Sequence, residues 1–138
     1  MKVVINTCFG GFGLSNKAIK RYLELEGKEC YFYKKTKMKY SDGKDEYSLV
    51  DNNEHGMFVY CSTKYLGETT DKIDESYFYY NNISRTDKNL IKVVEELGRE
   101  ADGKFASLKI VEIPDEVEWE IDDYDGIETI HEVHRSWS

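Results

Sequence analysis

A glycine-broken junction near the N terminus constrains this 138-residue chain more than any other feature. Residues 2–8 (KVVINTC) form a β-branched, apolar run typical of a buried strand, and no regular element can continue through residues 9–13 (FGGFG). Ser15 has a side chain favoured at helix N-caps, and apolar residues recur at helical spacing from there to Gly27, which suits a helix C terminus. The N-terminal region therefore predicts a strand, a tight turn and a helix.

The segment after this helix completes a predicted β-α-β unit. Residues 29–34 (ECYFYK) are typical of a second strand, and a helical crossover between two strands of one sheet joins them in parallel with a right-handed connection. A second helix is predicted over residues 87–98, with Thr86 or Asp87 as its N-cap and Gly98 as its C-cap.

The rest of the chain predicts further strands and one more helix. Residues 40–56 are polar and rich in turn formers, so we interpret them as an excursion from the sheet, and a turn at Asp125-Gly126 is expected to lead into a final short helix. Strands are predicted at residues 57–63, 76–80, 107–113 and 117–121. This alternation predicts an α/β fold: a single compact domain over residues 1–138, with a mixed, mostly parallel sheet and about three helices.

The charge of the chain is negative and unevenly distributed. The sequence has 19 basic and 27 acidic side chains, a formal net charge of −8, yet residues 1–40 carry nine basic and only three acidic groups. Residues 112–132 hold ten acids and no lysine or arginine. This balance opposes general nucleic-acid binding. Both stretches can be solvated faces, but the basic end can also attract a small anion, or opposite ends of two copies can meet in a homo-oligomer.

Cysteine content and hydropathy predict a cytoplasmic protein. The three cysteines are an odd number without a Cys-x-x-Cys pair, which argues against a disulfide framework and against a zinc knuckle. No apolar run approaches the roughly 20 residues of a membrane-spanning helix, and residue 1 leads directly into the first predicted strand without a cleavable signal. We therefore expect no membrane partner.

The glycine loop is the main candidate for ligand binding. A turn between a strand and a helix N terminus offers unpaired amides and a positive dipole to an anion. The loop lacks the third glycine of a dinucleotide fingerprint, because Asn16 occupies that position, and it lacks the Gly-Lys-Ser/Thr ending of a P-loop. The loop can equally serve only to make the turn and to let the helix pack closely. The predicted ligand-binding residues here are Phe9, Gly10, Gly11, Phe12, Gly13 and Ser15.

Three basic residues extend this candidate site. Lys34 and Lys35 end the second predicted strand, where a ribose-binding fold has an acid, and therefore favour a phosphate. Arg85 precedes the second helix and can fork onto a phosphate or carboxylate. The alternative for Arg85 is a pair with Asp87 or a role in capping the helix. Phe9, Phe12 and Tyr80 are candidates for stacking on a base.

The sequence predicts neither a metal site nor a catalytic centre. His131 and His134 are three residues apart but do not match His-Glu-x-x-His, and an acidic turn at residues 122–126 fails as a calcium loop because Ile121 occupies its first ligand position. Cys8, Cys61, Ser15 and His55 have no spacing that assembles a nucleophile with a base. No cofactor motif is present.

Several motifs nevertheless resemble those of small proteins encoded by bacteriophages and prophages, most of them without an assigned function. The resemblance spans nearly the whole chain and is carried by residues 5–15, 85–91, 93–98, 106–114, 123–126 and 131–137. It implies a counter-defence protein that sequesters a nucleotide-derived, phosphate-bearing immune signal without chemistry. Two alternatives are an acidic inhibitor that binds a host protein, in one form as a nucleic-acid mimic, and an enzyme that processes a nucleotide.

Overall fold

Two α-helices form where the sequence predicts them. The computed structural model describes residues 1–37, 45–51 and 59–133. Helix α1 (Asn16–Leu25) is capped by Ser15, whose Oγ accepts a hydrogen bond from the Ala18 amide at 3.1 Å. Helix α2 (Lys88–Leu97) is capped by the Asp87 carboxylate and ends at Gly98. Both cap predictions at the N termini are confirmed.

The strands of the described residues form three separate sheets. β1 pairs with β7, β8 pairs with β9, and the central sheet has the order β5-β3-β2-β4-β6. The bounds are Lys2–Asn6 for β1, Tyr31–Lys37 for β2, Glu46–Val50 for β3, Val59–Ser62 for β4, Thr69–Thr70 for β5, Tyr77–Phe78 for β6, Leu108–Glu112 for β7, Trp119–Tyr124 for β8 and Ile127–Glu132 for β9. Every pairing among these nine strands is antiparallel.

The prediction of a mostly parallel α/β sheet with three helices is therefore wrong. β1 and β2 do not pair: after α1 the chain leaves the β1–β7 pair and enters the five-stranded sheet, so no β-α-β unit forms. The partner of β1 is β7, with Lys2 opposite Glu112. A short crossover in the sequence does not determine which sheet the second strand joins, and that choice decides the topology.

Two local predictions also need correction. The predicted final helix does not form over residues 127–132, which are β9 and pair with β8 across a turn at Asp125 and Gly126. The polar excursion contains β3, whose Tyr47 is buried; residues 40–44 and 52–56 of that excursion lie outside the described residues.

One hydrophobic core joins the helices to two of the sheets. Val4 of β1, Leu23 of α1, Phe32 of β2 and Leu90 of α2 are all buried in it. The opposite face of the central sheet has a smaller cluster around Tyr33, whose side chain is fully buried. Among the described residues, no helix has both the length and the apolar character needed to cross a membrane.

Tyr22 on α1 is expected to make stability decrease at alkaline pH. Its hydroxyl donates to the Glu26 carboxylate at 2.7 Å, and burial, followed by this bond and the charge of Asp87, raises the pKa of Tyr22 well above its ordinary value of 10.0. The unfolded chain loses this proton near pH 10, whereas the folded chain keeps it. The free energy of unfolding is therefore unaffected below that pH and falls as the pH rises above it.

We expect the Tyr22→Phe variant to lose about 1 kcal/mol at pH 7, because the bond to Glu26 is gone. Its free energy of unfolding should then fall less steeply than that of the wild type between about pH 10 and 12. Urea unfolding across this range measures both effects. Tyr124→Phe, at an exposed position on the β8–β9 hairpin, is the matched control; an equal change of slope in both variants would contradict the assignment to Tyr22.

Candidate functional site

A cleft lies where the loop after β1 meets the loop before β7. Because β1 and β7 are antiparallel neighbours, the end of one strand and the start of the other lie at the same edge. The cleft has a volume of about 660 Å³, within the range of small-molecule sites. It is lined by residues 10–16, Ile19, Val59, Tyr80 and residues 102–106.

The two loops are held together by close backbone contact. The Gly103 amide donates to the Gly13 carbonyl at 3.0 Å, and the Ser15 amide donates to the Ala101 carbonyl at the same distance. A Cβ atom at Gly103 would lie 2.7 Å from the carbonyl carbon of Gly13. Only a glycine at position 103 permits the backbones of these two loops to approach this closely.

Asn6, at the end of β1, connects the segments at this edge through the hydrogen bonds of its side chain. Its side chain is fully buried, and its Nδ2 donates to the carbonyls of Cys8 at 2.7 Å and Gly126 at 2.6 Å. Its Oδ1 accepts from the amides of Cys8 and Ser107. A single buried amide therefore links the glycine loop, the start of β7 and the β8–β9 turn.

The glycine loop retains backbone donors. Within the described residues, the amides of Gly11, Phe12 and Gly13 donate to no protein acceptor, whereas the Gly10 amide makes a long 3.4 Å bond to the Asp125 carbonyl. Ser15 is differently placed, because its Oγ both caps α1 and donates to the Glu100 carbonyl at 2.6 Å. Unpaired amides beside a helix N terminus favour an anion.

Aromatic rings line the cleft beside these amides. Phe12 and Tyr80 are neighbours with ring centroids 5.9 Å apart, and burial raises the pKa of Tyr80. Phe105 is 64 % exposed and belongs to the lining, whereas Phe9 is 62 % exposed but lies outside it. Lys104 adds a positive charge at the same loop.

Arg85 is engaged within the protein. Its guanidinium forms a two-point ion pair with Glu128, at 2.6 and 2.8 Å, and donates to the Val4 carbonyl at 3.2 Å. The guanidinium carbon also lies 3.7 Å from the centroid of the Phe12 ring, so Arg85 packs on a residue that lines the cleft. Arg85 does not line the cleft, and its contact with a ligand stays a prediction.

The two lysines predicted to bind phosphate are separated by the sheet. Lys35 pairs with Asp45 at 3.3 Å, a contact that raises the pKa of this lysine, and its ammonium lies 5.7 Å from the Tyr47 ring centroid. Lys34 points to the other face and is opposite Val59, which lines the cleft. Lys34 therefore lies on the same face of the sheet as Val59, a residue of the cleft lining. Lys35 lies on the opposite face, beside Tyr47.

The sequence did not predict three residues of the cleft lining: Gly103, Lys104 and Phe105. They lie about 90 positions after the glycine loop, and only the β1–β7 pairing brings them beside it. The role of Asn6 could have been predicted from the sequence. An amide side chain inside a β-branched, apolar strand is expected to be buried, and a buried amide needs hydrogen-bond partners.

His131 lies on a strand and not on the short helix predicted after Gly126. His131 lies on β9 between two carboxylates, with Nε2 2.6 Å from Glu120 and Nδ1 2.6 Å from Asp122. Among the described residues these three side chains are the group with donor atoms close enough to hold a metal together. They are exposed on the hairpin and do not line the cleft, and His134 lies outside the described residues.

Over the part of the chain that the structure describes, the fold consists of antiparallel sheets and two α-helices, with a cleft at the glycine loop. Comparison with protein-family models finds no match, and comparisons with curated proteins and with solved structures find no similar protein either.

Proposed function

We propose that the protein binds, without altering it, a small ligand that combines a phosphate with a flat aromatic ring, as a nucleotide does. The observation that carries this proposal is that Gly11, Phe12 and Gly13, whose amides donate to no described acceptor, line the same cleft as the exposed Phe105 ring. The amides and the α1 N terminus suit phosphate oxygens, and the ring suits a base. Lys104 supplies a countercharge.

The lining favours binding over catalysis. The described lining residues include no histidine and no cysteine, the Ser15 hydroxyl is occupied by its cap, and the Asp102 carboxylate accepts a bond from the Leu108 amide at 2.9 Å. No nucleophile with an adjacent base is assembled there. The resemblance to small phage proteins directs the proposal towards nucleotide-derived immune signals, which need only be sequestered.

The test uses the purified full chain and four probes: inorganic phosphate, AMP, ADP-ribose and a cyclic dinucleotide. We expect at least one nucleotide probe to raise the melting temperature and to bind in calorimetry, because a ligand that binds only the folded state stabilises it. Heating the complex should return the probe with unchanged mass. No stabilisation by any probe at millimolar concentration would contradict the proposal, and a chemically altered probe would favour a nucleotide-processing enzyme.

A matched pair of variants places the ligand. Phe105→Ala should weaken nucleotide binding by about fivefold to 150-fold, since stacking on one ring contributes about 1–3 kcal/mol. Phe9→Ala removes an equally exposed ring that lies outside the lining and should leave the affinity unchanged. Calorimetric titration of both variants measures the difference. Equal losses, or none in Phe105→Ala, would exclude this cleft as the site.

A further inference from the structure

Two cysteine thiols meet beneath the central sheet, away from the cleft. The Sγ atoms of Cys30 and Cys61 are 3.4 Å apart, and both cysteines are free. Cys61 lies in β4 opposite Phe32 of β2, and Cys30 is two residues before Phe32, so the register places both thiols on the face that packs against α1. Cys61 is buried and Cys30 is half-buried.

The two thiols have opposite tendencies to ionise. The hydrogen bond from Cys61 and the charge of Lys20 on α1 lower the pKa of Cys30. The same hydrogen bond and burial raise the pKa of Cys61. Since the thiolate is the reactive form, Cys30 is the nucleophile of the pair and Cys61 the second thiol.

We propose that Cys30 and Cys61 are a thiol–disulfide modification site that reacts with a low-molecular-weight disulfide such as oxidised glutathione. The Cys30 thiolate attacks one sulfur of the oxidant, whose S–S bond breaks, and one glutathione leaves as a thiolate. Cys61 then loses its proton to water and attacks the Cys30 sulfur, releasing the second glutathione. The protein loses two electrons and two protons, and one glutathione disulfide becomes two glutathione thiols.

The positions of the two residues allow this bond. The sulfurs must approach by roughly 1.3 Å to reach the length of a disulfide bond. Cys30 precedes β2 and is outside its hydrogen-bonded ladder, so its side chain can rotate without breaking a strand pairing. A Cys30–Cys61 disulfide would link the residue before β2 covalently to β4. Because this link restricts the unfolded chain, the oxidised protein should melt at a higher temperature than the reduced protein.

The experiment starts from the fully reduced, full-length chain in oxidised glutathione, followed by acid quenching, alkylation and intact-mass measurement. We expect the wild type to lose two hydrogen atoms and to keep one alkylatable thiol, with peptide mapping linking Cys30 to Cys61. Cys61→Ser should stop at a glutathione adduct on Cys30, and Cys30→Ser should form no internal disulfide. Cys8→Ser is the matched control: it should lose two hydrogen atoms through the same Cys30–Cys61 bond and keep no alkylatable thiol.

Three results would overturn the proposal. They are a wild type that keeps three free thiols, a wild type that retains glutathione on Cys30, and an internal disulfide that contains Cys8. The wild-type measurement decides the question even if a serine variant fails to fold. Circular dichroism on each variant separates loss of fold from loss of reactivity. The return of all three thiols after treatment with a reducing agent would show that the modification is reversible.

Discussion

Replacing Glu128 with glutamine should destabilise the protein by about 3 kcal/mol, because it leaves a largely buried guanidinium without its anionic partner. The Arg85 and Glu128 side chains are only 19 % and 7 % exposed, and they meet through two hydrogen bonds. Urea unfolding at neutral pH measures the change as a shift of the midpoint at constant slope.

The position of the pair explains the size of this effect. Glu128 of β9 also accepts a hydrogen bond from the backbone N–H of Asn6 at 2.8 Å. Arg85 donates to the Val4 carbonyl and stacks on the Phe12 ring. One ion pair thus connects the β8–β9 hairpin to β1, to the entry of α2 and to the cleft wall. Its removal therefore disturbs several partners at once.

An exposed pair is the matched control for Glu128→Gln. Lys17 and Glu100 also form a salt bridge, at 3.0 Å, but both side chains are more than half exposed. Glu100→Gln should therefore cost less than about 1 kcal/mol. Similar costs for Glu128→Gln and Glu100→Gln would contradict the argument.

Features set by neighbouring residues were predictable from the sequence. Ser15 and Asp87 cap the two helices because each side chain bonds to an amide two or three positions later. The apolar stripes of α1 and α2 follow the same local logic. Sheet pairing is different: Val4 lies opposite Ile110, and no signal near either residue selects that partner.

The β8–β9 hairpin shows how two local signals can compete. Ile127, Ile130 and Val133 have helical spacing, but Asp125 and Gly126 adopt φ values of +50° and +89°. Asp-Gly between alternating segments is a strong hairpin signal, and it prevails here, since β8 and β9 pair directly across this turn. The burial of Glu128 could not be foreseen, since it depends on Arg85, a partner 43 positions away.

The candidate site was half predictable for the same reason. The glycine loop is visible in the sequence because glycine permits positive φ values that end a strand locally, as at Gly10 and Gly11, whatever the rest of the chain does. The second wall, at residues 102–106, becomes visible only after β7 has been placed beside β1. Lys35 lies on the opposite face of the sheet from Lys34 because successive residues of a strand point to opposite faces, and its contact with a ligand stays a prediction.

Gly126→Ala should destabilise the protein by about 2–4 kcal/mol and weaken binding in the cleft as well. Gly126 has φ +89°, which strains any residue with a side chain. An added Cβ would also collide with the Gly11 amide nitrogen and lie 2.8 Å from the Gly11 Cα. The glycine loop would have to move, and its unpaired amides would move with it. Thermal unfolding and calorimetric titration with the best-bound nucleotide measure the two effects.

Gly27→Ala isolates the contribution of the collision. Gly27 has φ +72°, so alanine there is strained in a similar way, but a Cβ would meet nothing within 4 Å. We expect this variant to lose only about 1–2 kcal/mol and to bind the nucleotide as the wild type does. If Gly27→Ala and Gly126→Ala were equally unstable and bound equally well, the contact between the hairpin turn and Gly11 would not position the loop. The unpaired amides would then be held in place by other contacts of the loop, such as the Gly13–Gly103 contact.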